Sequence, residues 1–219
     1  MADRNPTPGG AAPWFFLGAV YLGLEAYLWL VVPTRNSLLI AIGAIVVLFV
    51  LVGDPIRRGE TADSVGLDVT HLRQATLRLL PMTALAMIVL FAVNQLVAAP
   101  PPDLPRFGRR FLAILPWAFL QQGMLQATFN RRITARLGPG WRAAGLVALA
   151  FAGMHLPGPL LVAITGLAGL VWARTYQSAP NLWVLVLSHA LLSAMAQSSL
   201  PREWTHGFRV GPGWFRWHP

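Results

Sequence analysis

Two adjacent stretches decide the fold: WFFLGAVYLGLEAYLWLVV, from Trp14 to Val32, and SLLIAIGAIVVLFVLVG, from Ser37 to Gly53. A helix that crosses a bilayer needs roughly 20 mostly apolar residues, with about 17 to 25 tolerated. Both stretches meet that length, and only Glu25 interrupts them with charge. Further stretches of the same kind follow at Leu79 to Ala99, Phe111 to Phe129, Ala143 to His155, Pro159 to Tyr176 and Asn181 to Gln197. The pattern predicts an all-α, multi-pass transmembrane bundle of about seven spans. Residues 1–13 read as an N-terminal tail and 14–200 as the bundle. Residues 201–219 form a C-terminal tail in which Trp and Arg interleave, as expected at headgroup level. The first span is longer than a signal-peptide core, and no small-residue cleavage site follows it.

Composition agrees. Of 219 residues, 55% are hydrophobic and 11% charged, where a soluble domain has about a quarter charged. The chain has no Cys, which excludes disulfides, thiolate nucleophiles and Cys-based metal sites. The formal charge of +9 sits in the connections between spans. Anionic membrane lipid is therefore the expected charged partner, and nucleic acid is not. More Arg residues, Arg57, Arg58, Arg131 and Arg132 among them, fall on the side of the N terminus, which places that terminus in the cytoplasm. VTHLRQATLRLL, residues 69–80, has helical apolar spacing and reads as an interfacial helix leading into the third span. PPPDLPRFGRR, residues 100–110, reads as a rigid link.

Polar side chains inside the apolar spans mark a site, because each costs free energy in hydrocarbon. QQGMLQ carries Gln121, Gln122 and Gln126, with the last two sharing a helix face. FAGMH puts Phe151 four residues before His155, and SHALLS puts His189 four residues before Ser193. Singly, such residues also serve as interhelical glue, worth about 0.6 to 2 kcal/mol each. Together they read as a built site between the fourth, fifth and seventh spans. Two His without a third ligand make no zinc site, and no HExxH occurs, so no metal or other cofactor is expected. Glu25, the one carboxylate within the spans, is either a hydrogen-bonded structural residue or a base facing the two His.

These motifs resemble the CPBP family of intramembrane proteases, the group of the type II CaaX prenyl endopeptidase and the bacteriocin-processing proteins. That family carries EExxxR, then FxxxH, then HxxxN on successive spans. Here QQGMLQ, FAGMH and SHALLS stand in that order, and SAPNLW leads into the last. The likeness runs over about residues 64–193. It implies a peptidase of the membrane interior in which a Glu and the FxxxH His activate water while the last His and Asn hold the oxyanion. Those roles fall on Gln121, His155, His189 and Ser193, with Gln122, Gln126 and Phe151 supporting. The implied substrate is a hydrophobic or lipid-bearing peptide. The Glu pair, the Arg and the Asn are all replaced, and a carboxamide has no basicity with which to deprotonate water. Two functions therefore stand: a peptidase with a weakened site, or a pseudoprotease that binds such a peptide without cutting it. A small transporter is a third class, disfavoured by the absence of a broken helix pair.

Overall fold

The structure, a computed structural model, describes residues 12–97 and 103–218. The N-terminal tail up to residue 11, the end of the third stretch beyond residue 97 and Pro100, Pro101 and Pro102 lie outside the described residues. The elements are helical throughout the described residues: α1 (Ala12–Ala26), α2 (Ser37–Arg57), α3 (Leu72–Leu96), α4 (Leu104–Gln122), α5 (Arg131–Leu137), α6 (Trp141–Gly153), α7 (Pro159–Ser178), α8 (Leu182–Ser199), α9 (Arg202–Thr205) and α10 (Pro212–Phe215). α1 continues through a wider π turn at Tyr27–Val31 and a tighter 3-10 turn at Val32–Thr34, and α4 runs on as a π-helical segment, Gly123–Asn130.

Local chemistry sets the ends. The Asn36 carboxamide accepts from the Leu38 and Leu39 N–H groups at the start of α2, and Asp103 accepts from Arg106 N–H ahead of Pro105 in α4. Asn181 accepts from Val184 N–H at the start of α8. Each satisfies donors that a helix start leaves without intrahelical partners. Gly138, at φ 75°, ends α5.

Among the described residues, five helices are long and apolar enough to cross a membrane: Trp14–Thr34, Ser37–Arg57, Leu72–Leu96, Pro159–Ser178 and Leu182–Ser199. The fourth sequence stretch lies on α4 and its π continuation, and the fifth on the short α6. Two expectations change in detail. Residues 72–80 are the first turns of a continuous 25-residue α3 rather than a separate interfacial helix. The link drawn over residues 100–110 ends at Asp103, because that residue caps α4 and the chain is helical from Leu104.

The bundle is apolar outside as well as inside. Only 11% of the α2 span is buried, with Phe49, Ile45 and Ile56 pointing outward, whereas 56% of α8 is buried. Patches of this extent on the outer helices are lipid-facing, and α8 is the central post. α3 and α4 pack on α8, and α6 pairs with α7. Where α2 leaves the apolar layer, Asp54 pairs with Arg58 and Arg132, and Glu60 pairs with Arg58 and Arg131. Burial pulls the Arg58 guanidinium below its ordinary range while Asp54 and Glu60 oppose that pull. The Arg132 cation also stands 4.0 Å over the Phe16 ring, tying α1 to α5. The loop after α2 is strapped to the α7–α8 turn: Tyr176 donates to Val65 O (2.9 Å), Asn181 to Asp68 O (2.9 Å) and Trp183 to Leu67 O (2.9 Å). Gly66 sits in that strap at φ 78°, where an added Cβ would stand 2.9 Å from the Asn181 backbone N.

Candidate active site in the membrane cavity

A cavity of about 620 Å³ opens among α3, α4, α6, α7 and α8. Gln121, Phe151, His155, His189 and Ser193 all line it, together with Thr83, Trp172 and Ser188. Most of the wall is Leu, Ile, Val and Ala, and no Asp, Glu or Arg of the described residues lines it. From the C-terminal tail, Phe208 and Val210 reach one mouth, held there by the Gly211 N–H donating to Leu156 O at 2.8 Å.

The two imidazoles flank one ring. Phe151 meets His155 edge-on with centroids 4.8 Å apart and His189 edge-on at 5.9 Å. Trp172 stacks on His189 at 4.8 Å. His155 lies in the turn just past the end of α6, and its Nδ1 is 2.8 Å from Phe151 O. A carbonyl only accepts, so Nδ1–H donates and, in the neutral ring, Nε2 keeps its lone pair. The FxxxH spacing thus has a local cause. The imidazole caps a carbonyl that the last turn of α6 leaves without a helical partner.

Gln122 and Gln126 do not line the cavity. Both are fully buried behind it, with Gln122 Nε2 3.2 Å from His189 Nδ1 and Gln126 Nε2 donating to Gln122 Oε1 at 3.1 Å. They lie on either side of the α4–π junction, which Leu51 crowds at Gly123. π turns of this kind recur at functional sites. Glu25 is also outside the lining, and Trp29 Nε1 donates to its Oε2 at 3.1 Å. Residues not singled out in the sequence complete the polar set. Ser188 Oγ lies 2.8 Å from Thr83 Oγ1 and accepts from Trp172 Nε1 at 3.1 Å. Asn130 stands one further helical step beyond Gln126 and donates to its Oε1 at 2.7 Å. That recurrence of carboxamides every four residues was visible in the sequence and is the signal by which Asn130 can be found.

Residues 111–195 match the family model described as type II CAAX prenyl endopeptidase, Rce1-like. Over this core the chain is similar to the Rce1-like family. The match spans the second half of α4, all of α6 and α7 and most of α8, and so contains every cavity motif. It begins later than the likeness read from residue 64. No curated protein and no solved structure matches the chain.

Among the described residues, one group of potential metal ligands comes together: Asp63, Asp68 and His71, with ligand atoms within 4.8 Å of one another. None of the three lines the cavity. The Thr70 hydroxyl donates to Asp68 and holds its carboxyl below the usual range, and the hydrogen bond Asp63 shares with Asp68 raises the Asp63 carboxyl. A carboxylate pair that shares a proton competes with a cation for the same oxygens. Elemental analysis of the purified protein is expected to find no stoichiometric zinc. Zinc that is tightly held and lost in His155→Ala would overturn this for the cavity; loss in His71→Ala instead would assign it to the surface group.

Proposed function

We propose that this Rce1-like chain holds a hydrophobic or lipid-bearing peptide in its membrane cavity and cleaves it very slowly or not at all. The observation that carries the reading is a cavity with two imidazoles and no lining carboxylate. Peptide hydrolysis of the family type needs a base for water, and general acid–base help is worth about 10² to 10⁴ in rate. The positions the resemblance assigns to the Glu pair hold Gln121, on the cavity wall, and Gln122, which is bonded to His189 behind it. What remains suits recognition. Polar groups at Gln121, His155, His189 and Ser193 meet a backbone carbonyl or N–H, and apolar walls take the side chains or lipid.

A slow peptidase is the second reading, and His155 favours it. Its Nε2 lone pair makes it the one lining group among the described residues positioned as a base. The setting is a cell membrane, with the Arg57, Arg58, Arg131 and Arg132 face in the cytoplasm and exposed Arg73 and Arg78 meeting anionic lipid.

The test measures binding and cleavage on one preparation in liposomes. A farnesylated CaaX-type peptide carrying a photocrosslinker is expected to label the native protein, with labelling reduced in Ser188→Leu and Leu192→Trp, which fill the cavity. Product release is expected to stay at the level of His155→Ala. Rapid cleavage that His155→Ala abolishes would sink the pseudoprotease reading. Absence of both labelling and cleavage would sink the peptide-binding one.

A further inference from the structure

The carboxamides behind the cavity form a chain with a direction. Gln177 Oε1 accepts from the Gly140 backbone N–H at 3.0 Å and from the Arg174 guanidinium at 2.7 Å. Both are donors and nothing else, so the Gln177 amide has one workable orientation, with Nε2 turned inward. That Nε2 donates to Asn130 Oδ1 at 3.0 Å, where the Thr134 hydroxyl also donates at 3.1 Å. Asn130 Nδ2 then donates to Gln126 Oε1 at 2.7 Å and to the Ala173 carbonyl at 3.0 Å, an acceptor and nothing else. Gln126 Nε2 donates to Gln122 Oε1, and Gln122 presents its own Nε2 to His189 Nδ1. Asn130, Gln126 and Gln122 are fully buried, so water cannot substitute for a mismatched partner.

We infer that this chain of carboxamides, anchored at Gly140, Arg174 and Ala173, fixes neutral His189 with its proton on Nε2. Nδ1 must accept, because the amide facing it donates, and the ring therefore offers the cavity an N–H donor. His155 is held the opposite way by Phe151 O, with its proton on Nδ1 and a lone pair at Nε2. The cavity thus has one imidazole that donates and one that accepts. A ligand carbonyl belongs at His189 and a ligand N–H, hydroxyl or water at His155. Gln177 and Asn130, which do not touch the cavity, are positioning residues for His189. Reversing the Gln122 amide would require every amide behind it to turn. Asn130 Oδ1 would then face Ala173 O, and Gln177 Nε2 would face the Gly140 N–H. The inference concerns the site of the proposed function, but it predicts a ring tautomer whether or not a peptide is cut.

The test is nitrogen-15 and carbon-13 NMR of the full chain, labelled at His, in lipid bilayers, with His155→Gln and His189→Gln identifying the two rings. Native protein is expected to show His189 protonated at Nε2 and His155 at Nδ1. In Gln122→Met no amide faces Nδ1, and His189 is expected to lose its preference for the Nε2-protonated form. In Gln177→Glu the far end can no longer donate to Asn130 and opposes the orientation that Ala173 O holds, so the Nδ1-protonated form is expected to appear beside the native one at His189, with His155 unmoved. Gln177→His, which keeps a donor, is expected to restore the native signal. A native His189 protonated at Nδ1 overturns the inference, and that measurement needs no variant to fold. So does a Gln177→Glu spectrum unchanged at His189 while Gln122→Met shifts it, since the far end then has no influence.

Discussion

Replacing Gln121, Gln122 and Gln126 together by Glu, Glu and Arg is expected to raise cleavage of a prenylated peptide by about 10²- to 10⁴-fold over the native chain, the range a positioned general base supplies. Gln121 lines the cavity, so a carboxylate introduced at that position faces the water that must be activated. Alone it has no cation beside it in a wall of Leu, Val and Trp, and the protonated acid, which is no base, prevails there. Gln121→Glu by itself is therefore expected to gain little. An Arg at position 126 lies one turn from position 122, where Gln126 now bonds Gln122, and it supplies the missing positive charge. It also explains why the three positions differ together from the family pattern. A guanidinium without its carboxylates is expensive in an apolar interior, whereas a ladder of neutral amides satisfies its own donors and acceptors. Rates are to be compared in liposomes at equal peptide occupancy. If the native chain already cleaves as fast as the triple variant, the slow-or-inactive proposal fails. Loss of that cleavage in Glu25→Gln as well as His155→Ala would then make Glu25 the base.

Asn130→Ala is expected to cost about 3 to 5 kcal/mol of stability. Four groups lose a partner: Gln126 Oε1, Ala173 O, Thr134 Oγ1 and Gln177 Nε2. A buried polar group left without a partner costs about 1 to 3 kcal/mol. Two of the four, Gln126 Oε1 and Ala173 O, lie where water does not reach, and Thr134 and Gln177 are half-buried and recover part of the loss. Asn130→Asp is expected to be nearly as damaging. Its oxygens still accept from Thr134 and Gln177 but meet Gln126 Oε1 and Ala173 O without a proton. Ser178→Ala, on the exposed end of α7, serves as the comparison and is expected to change stability by less than about 0.5 kcal/mol. Reversible unfolding in mixed micelles measures all three. A cost below about 1 kcal/mol for Asn130→Ala would mean that the amide ladder reorganises freely.

What can be read locally was read from the residues alone. The transmembrane bundle follows from the length and apolarity of α1, α2, α3, α7 and α8. The FxxxH geometry follows from four-residue spacing, since His155 caps Phe151 O within its own turn. The motif positions Gln121, Phe151, His155, His189 and Ser193 were legible as polar or aromatic exceptions in apolar helices, and the structure brings all five to one cavity.

Relations across helices were not legible. Gln122 meets His189 across 67 residues and Asn130 meets Ala173 across 43, and no periodicity within one helix reports how far its neighbour is rotated. Gln121 and Gln122 are adjacent in sequence and point about 100° apart around α4, and the rotation of α4 in the bundle puts one on the cavity wall and the other behind it. Glu25 bonds Trp29 four residues on, a local pair, but its place outside the cavity lining depends on how α1 is rotated against the other helices. The sequence by itself determined that these spans enter a membrane and which residues are too polar to face lipid, because transfer free energy is a property of each side chain. Only the tertiary structure decided which of those residues face one another, because that depends on the rotation and offset of helices packed side by side.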